Sequence, residues 1–345
     1  MASTRDTIRW GIIGCGDVTE IKSGPGFRLA ERSQLVAVMR RDGAKAADYA
    51  KRHGVPRWYD DADKLIRDPE VDAVYVATPP GSHLEYALRV AAAGKPCYVE
   101  KPMARSHAEC RRMIDAFAHA RLPLFVAYYR RALPRFVRAK ELLDGGAIGR
   151  VTGCRYCMSR PFRPNPPAQW RLDAEQSGGG IFLDVGSHAL NLLDQLLGEF
   201  VEYGGSAHSS GATAVEEVVA LHFRTATGAV GCASWNFAAS VQEERLEIDG
   251  TEGRLSMEVL GYSPLTLSRG GRSETIDLPD PPHIQQPLIQ TVVDELLGGG
   301  TCPSTGVSAA RTSAVMDAAL SSFYNGRDDA FWARPNTWNS KGGAR

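Results

Sequence analysis

The sequence predicts an α/β protein in which an N-terminal doubly wound parallel sheet is followed by a second α/β domain with a large, mostly antiparallel open sheet. Three observations predict it. Up to residue 128, strand-like apolar runs alternate with helical stretches, as repeated βαβ units require. From Val151 onward short β-like runs dominate, joined by glycine turns such as Asp249-Gly250-Thr251-Glu252-Gly253. The 345 residues also exceed the roughly 250–300 at which a single core stops growing. The expected division is residues 1–128, residues 129–331 and a polar tail, 332–345, in which Trp332 and Trp338 are candidate anchors and to which no function is assigned.

In the first half, Ile8 to Ile13 reads as a strand running into Gly14-Cys15-Gly16-Asp17-Val18-Thr19 and then a helix start. That is the order of a Rossmann dinucleotide turn. Gly14 allows the tight turn, and Gly16 lets the backbone approach a pyrophosphate beside Asp17 and Val18. Thr19 stands where a third small residue normally permits close helix–strand packing, which predicts a displaced helix. The next strand, Leu35 to Met39, ends in Arg40-Arg41-Asp42, about 20 residues beyond the glycines, where the adenosine ribose is read. Two guanidiniums there suit a 2′-phosphate and favour NADP over NAD, although Asp42 offers a hydroxyl acceptor.

Helices over Ala44 to His53, His83 to Ala93 and His107 to Ala120 then alternate with strands over Ala73 to Ala77, Cys97 to Val99 and Leu124 to Ala127. Ligands bind at the carboxyl ends of such strands. Thr78-Pro79-Pro80-Gly81-Ser82-His83 is placed there to line the cofactor, with capping or packing of the helix as the other role open to His83. At the end of the following strand, Glu100-Lys101-Pro102 delivers a lysine into the same crevice, with Pro102 ending the strand.

In the second half, Ser177-Gly178-Gly179-Gly180 reads as a flexible approach to a helix carrying Asp184 and His188 at i and i+4, on one face. Apolar neighbours would tune that histidine for proton transfer near neutral pH. Asp194 lies off the face and reads as structural. The loop bearing Arg160, Arg163 and Arg171 suits a hydroxylated or anionic ligand. Strands are expected over Val215 to Thr225, Ala229 to Phe237, Arg245 to Asp249, Arg254 to Glu258, Leu265 to Ser268 and Glu274 to Leu278, and helices near Gln285 to Leu297 and Ser308 to Asn325.

Lysine plus arginine equals aspartate plus glutamate at 40 each, so no global field favours nucleic acid or an anionic membrane. Apolar runs fall short of the roughly 18 residues of a membrane span. The seven cysteines are scattered, which points to reduced thiols in a cytoplasm. Cys154-x-x-Cys157 has no second pair and reads as structural, so no metal is expected.

Gly-Ile-Ile-Gly-Cys-Gly at residues 11–16, Ala77-Thr78-Pro79 with His83, Glu100-Lys101-Pro102, Tyr128-Tyr129-Arg130-Arg131 with Pro134, Trp170-Arg171, and Gly178-Gly179-Gly180 leading to Asp184 and His188 occur in order over nearly the whole chain. Together they resemble the Gfo/Idh/MocA family of NAD(P)-dependent oxidoreductases. The resemblance implies hydride transfer on sugars, polyols or related compounds, with catalytic roles for Lys101, Asp184 and His188. It also implies cofactor contacts at Gly14, Gly16, Asp17, Val18, Arg40, Arg41, Thr78, Pro79, His83, Glu100 and Lys101. Substrate contacts fall on Lys101, Tyr129, Trp170, Arg171, Asp184 and His188, with Tyr129 standing where many members have asparagine. A homodimer or homotetramer through the second sheet is the implied assembly. The competing readings are a non-catalytic sensor of nucleotide or sugar, and a reductase of dihydrodiols or tetrapyrroles on the same fold.

Overall fold

A computed structural model describes residues 6–161, 170–211 and 213–326, so the expectations for Arg163 and for the tail with Trp332 and Trp338 lie outside the described residues. The chain forms two compact units. One comprises the chain through Ala104, Glu109–Leu133 and Pro281–Ala309; the other comprises Arg105–Ala108, Pro134–Asp280 and the chain from Ala310. Whereas the sequence reading runs the second domain without a break from 129 to 331, Pro281–Ala309 returns to the first unit.

The first unit is built on strands β1 (Ile8–Ile13), β2 (Ser33–Met39), β3 (Arg57–Tyr59), β4 (Ala73–Val76), β5 (Cys97–Val99) and β6 (Leu124–Val126), in the order β3-β2-β1-β4-β5-β6. Every neighbouring pair is parallel. The central strands can be parallel because they are apolar on both faces: all residues of β4, β5 and β6 are buried. The connections carry α1 (Asp17–Ile21), α2 (Gly24–Leu29), α3 (Gly43–His53), α4 (Ala62–Arg67), α5 (His83–Ala92) and α6 (His107–Ala120). Strand β3 and helix α4 carried no sequence signal, being three and six residues long with little apolar periodicity.

An aromatic stack fills this core. The Trp10 and Phe27 rings lie 4.9 Å apart, Phe27 and Tyr75 5.1 Å, and Tyr75 and Tyr98 5.0 Å. The returning segment completes the unit at two places. Its helix, which becomes α10 (Gln286–Leu296) in chain order, comes so close to α2 that a methyl group on Gly26 would sit 2.8 Å from Ile289 Cδ1. Its strand-like end covers the edge of β6: Ser304 Oγ donates to the Val126 carbonyl at 2.6 Å, the Val126 amide donates to the Ser304 carbonyl at 3.1 Å, and Thr305 bridges Phe125.

The second unit contains α7 (Pro134–Asp144), β7 (Val151–Ser159), α8 (Ala174–Ser177), α9 (Ile181–Leu197), β8 (Phe200–His208), β9 (Val218–Thr225), β10 (Val230–Asn236), β11 (Glu243–Gly250), β12 (Gly253–Met257), β13 (Leu265–Arg269) and β14 (Arg272–Ile276). Most of the last helix, α11 (Gly306–Tyr324), also belongs to it. The sequence reading lacked α7 and β8; the latter is interrupted by Gly204 and Gly205 and shows no clean alternation. The eight strands are ordered β14-β13-β12-β11-β7-β10-β9-β8, antiparallel throughout except for β10 on β7. One face is buried and one is not. Along β9, Val219, Leu221 and Phe223 point inward while Ala220, His222 and Arg224 are exposed. The buried face receives α9, whose Phe182 meets Trp235 edge-on at 4.9 Å.

Thr19 explains how α1 and α2 divide. The first helix stops after five residues, and Thr19 is fully buried with its hydroxyl donating to the Gly16 carbonyl at 2.7 Å. The close approach that the missing small residue would have served is made by Gly24, where a methyl group would overlap the Thr19 carbonyl and sit 2.5 Å from Tyr49 Oη. Tyr49 itself donates to the Thr19 carbonyl at 2.8 Å. The displaced helix expected from Thr19 is thus a short helix followed by a glycine-packed second one. Gly24→Ala is expected to lose about 1–3 kcal/mol of stability, read from urea midpoints; an unchanged midpoint would show that this contact is not tight.

Candidate functional site

The first unit gathers its candidate residues along one edge of the parallel sheet. Because β1, β4 and β5 are parallel neighbours, the turn after β1, the segment Thr78–Pro79 and the turn at Lys101 all leave from carboxyl ends. Gly14 has φ +91° and packs so closely that a methyl group would lie 2.8 Å from Thr78 Cγ2. Gly16 differs: the nearest atom to an added methyl group is the Gly14 carbonyl oxygen at 3.9 Å. Protein packing therefore does not demand glycine at 16, and the space beside it is open. Asp17 is exposed and Val18 half-buried in the first turn of α1.

At the end of β2, Arg40 is half-buried and folds back over this turn, its Nη1 donating to the Cys15 carbonyl at 3.4 Å, while Arg41 is exposed. Asp42 is engaged as the N-cap of α3, accepting from the Lys45 amide at 3.2 Å with Lys45 Nζ at 3.3 Å.

Glu100 is only 6 % exposed, and its carboxylate is held on both oxygens. Tyr75 donates to Oε1 at 2.6 Å, Gln285 Nε2 donates to Oε1 at 2.7 Å, and the Lys101 backbone amide donates to Oε2 at 2.9 Å. Burial and the neighbouring Glu100 charge push the Tyr75 phenol well above its ordinary range. The Lys101–Pro102 peptide is cis, and Lys101 is half-buried. His83 is fully buried beneath the same turn, with Nε2 2.6 Å from the Thr78 carbonyl and Nδ1 3.1 Å from that of Pro102. Burial pulls its pKa below the usual histidine range. The structure thus gives His83 the packing role, bracing the turns that carry Thr78 and Lys101, and points the Glu100 carboxylate into the unit. Tyr129 is 5 % exposed in a short 3₁₀ turn with the Arg130 guanidinium 4.9 Å from its ring centre.

The second unit holds the other cluster. Asp184 lies in the first turn of α9 and His188 one turn later, so the spacing places them on one face; His188 is 6 % exposed. Arg171 stacks on Trp170 at 4.4 Å, and its Nε donates to Asp184 Oδ2 at 2.7 Å. Asp194 is structural, as its position predicted: Arg311 grips it with Nε and Nη2 at 2.7 and 2.8 Å.

Gly178, Gly179 and Gly180 are all buried, which corrects the flexible approach expected from sequence. Gly178 has φ +88° and meets the Arg105 backbone, while a methyl group on Gly180 would lie 2.6 Å from the Glu216 carbonyl oxygen. Glu216 is 1 % exposed, accepts the Gly180 amide at 2.8 Å at the start of α9, and takes the Tyr324 hydroxyl at 2.6 Å. A carboxylate there also complements the helix dipole. Sequence reading missed Glu216, whose signal was an acidic pair inside a valine-rich run; it also missed Gln285, which carries none. Cys154 is buried and Cys157 half-exposed, on opposite faces of β7, so the pair cannot converge on one metal, and no group of three potential ligands forms among the described residues.

Two family models match the chain: an oxidoreductase family with an NAD-binding Rossmann fold at residues 8–128, and the GFO/IDH/MocA C-terminal domain at residues 136–256. The chain belongs to the Gfo/Idh/MocA family. It is an oxidoreductase with an NAD-binding Rossmann unit. Oxidoreductase P35 of Formosa agariphila is 37% identical over 315 residues, 90% of this chain and 97% of that protein. Myo-inositol 2-dehydrogenase of Thermotoga maritima is 31% identical over 76% of this chain and 78% of its own. Among solved structures, aldose-aldose oxidoreductase from Caulobacter crescentus superposes with a TM-score of 0.82 at 26% identity, covering 93% of this chain and 98% of its own. No helix among the described residues is long and apolar enough to cross a membrane.

One ion cluster secures the helix that follows the glycine turn. Glu20 of α1 receives Arg52 Nη2 at 2.8 Å and lies 2.7 Å from His53 Nε2, both at the end of α3, and the Arg52 hydrogen bond holds its carboxyl down at about 2. A carboxyl pKa below the unfolded value of about 4.3 stabilises the fold above that pH and ceases to do so as pH falls through the folded value. Glu20→Gln should therefore be less stable than the parent at pH 7, with the gap closing between about pH 5 and pH 2 in denaturation curves; a gap independent of pH would remove the ion cluster as its cause.

Proposed function

We propose that the protein moves a hydride between C4 of a nicotinamide dinucleotide, NADP in preference to NAD, and a carbinol or carbonyl carbon of a sugar, polyol or sugar derivative. The observation that carries this reading is the shared edge of the parallel sheet. There an open glycine cradle after β1 and a lysine turn after β5 leave the same side of a nucleotide-binding fold. The substrate class is supported by the relatives, one named for an inositol and one for aldoses.

The dinucleotide supplies the hydride chemistry when bound. The chain's own groups bind, orient and move protons. Gly14, Gly16, Asp17 and Val18 let the backbone approach the pyrophosphate, and Thr78 and Pro79 line the same edge. Arg40 and Arg41 hold the 2′-phosphate; the engagement of Asp42 as a helix cap supports this over a ribose-hydroxyl contact. The Lys101 ammonium hydrogen-bonds the reacting oxygen and stabilises alkoxide charge as it develops. In the oxidative direction His188 takes the hydroxyl proton, and in the reductive direction returns it. Asp184 orients the donor groups, with Arg171 fixing its carboxylate, and Tyr129, Trp170 and Arg171 contact the sugar.

The exposed face of the eight-stranded sheet, where Arg155, Arg245 and Arg254 interleave with Glu247 and Asp249, forms the contact of a homodimer or homotetramer. Cysteines held as thiols, such as the buried Cys15, Cys97 and Cys154, suit a cytoplasmic setting.

Sugars, sugar acids, inositols and nucleotide sugars screened against both cofactors at the nicotinamide absorbance will identify the substrate. With it, Lys101→Ala is expected to lower turnover by about 100-fold or more, and turnover near the parent's would sink the assignment. Replacing Arg40 and Arg41 together by alanine should weaken NADPH binding about tenfold or more while leaving NADH little changed. Equal effects on the two cofactors would remove the 2′-phosphate contact.

A further inference from the structure

The Glu100 carboxylate is a buried charge whose partners come from widely separated parts of the chain. Tyr75 stands on β4, and Gln285 immediately precedes α10. Gln285 is itself 1 % exposed. Its Oε1 accepts the Tyr98 hydroxyl at 3.4 Å and its Nε2 donates to Glu100 Oε1, so the amide's orientation is fixed from both ends. Its backbone is fixed as well: the Gln285 amide donates to the Lys22 carbonyl at 3.4 Å, and His283 Nδ1 lies 2.9 Å from the Ile21 carbonyl. Ile21 and Lys22 close α1, the helix that starts at the glycine turn. From the same junction Ser23, fully buried, donates to the Val18 carbonyl at 3.3 Å and interacts with the Tyr75 phenol.

We infer that Gln285 is a positioning residue for Lys101: it ties the junction behind the glycine turn to the Glu100 carboxylate, and through that carboxylate sets the backbone of the lysine turn. A carboxylate removed from water keeps its place only while its acceptor sites are matched by donors. Three donors reach it, and one is the Lys101 amide. Removing the Gln285 donor leaves Oε1 with Tyr75 alone, and the carboxylate turns or draws in water, releasing the Lys101 amide. A misplacement of the catalytic group on the order of 1 Å costs roughly 100-fold in rate. The inference rests on the reading of Lys101 as the group that meets the reacting oxygen.

Two measurements separate the inference from that reading. The first needs no substrate: amide hydrogen exchange at Lys101, followed in the full-length protein. Gln285→Leu is expected to speed exchange there about tenfold or more while amides of β1 keep their protection. Unchanged protection at Lys101 would overturn the positioning role whatever Lys101 does. The second is turnover on the substrate found by screening. Gln285→Leu should lower kcat about 10-fold to 100-fold with KM and NADPH affinity within about twofold, and an unchanged kcat would likewise overturn it. If exchange rises but Lys101→Ala retains full turnover, the tether stands and the catalytic reading fails.

Should Gln285→Leu not fold, the near-isosteric Gln285→Glu replaces it. That variant sets a second carboxylate beside Glu100, faced by Tyr75, Tyr98 and His83, so one of the pair must hold a proton. The protonated pair keeps its donor, and turnover relative to the parent should fall as rising pH removes the shared proton. A ratio that does not change with pH would overturn the inference.

Discussion

A single buried negative charge organises the first unit. An unpaired carboxylate moved out of water costs several kcal/mol, so the fold around Glu100 must bring donors to it from wherever the chain can supply them. It does so from the adjacent strand through Tyr75, from the next residue through the Lys101 amide, and from about 185 residues downstream through Gln285. The aromatic stack of Trp10, Phe27, Tyr75 and Tyr98 makes the surroundings dry, which strengthens each of these bonds and raises the penalty for losing one. Rigidity at the lysine turn is the result. His83 adds a second brace from below, spanning the carbonyls of Thr78 and Pro102.

The second unit solves a similar problem with different parts. Helix α9 is buried along almost its whole length, and buried polar groups on it and at its start are held by partners from elsewhere in the unit: Asp194 by Arg311, Asn191 by Thr312, and the amide of Gly180 by Glu216. Three consecutive glycines let backbones meet where side chains would collide. Both units therefore hold their candidate chemistry on elements whose freedom has been removed by buried, charge-assisted hydrogen bonds, as accurate placement of reacting groups requires.

Much of this was legible in the residues. The parallel sheet showed as apolar runs between helical stretches, and the Gly14 turn, the Lys101 turn and the Asp184–His188 spacing were visible because each is local. What escaped was non-local or short. Gln285 looks like any glutamine at a helix start until its partner is known, and Glu216 sits far from the helix it caps. The glycine run illustrates the limit well: sequence says that side chains are absent, and only packing tells whether the space is empty or filled. Strand β3 and helix α4 were lost because so few residues carry so little pattern.

The return of Pro281–Ala309 to the first unit affects how the molecule is made. During synthesis at about 5–20 residues per second, β6 emerges well before the segment that pairs with its edge, and the delay is on the order of 10–30 s. Until then the sheet has an open margin and Glu100 lacks one of its three donors. The unit whose strands are made first is thus completed only after most of the second unit, through Asp280, has already left the ribosome.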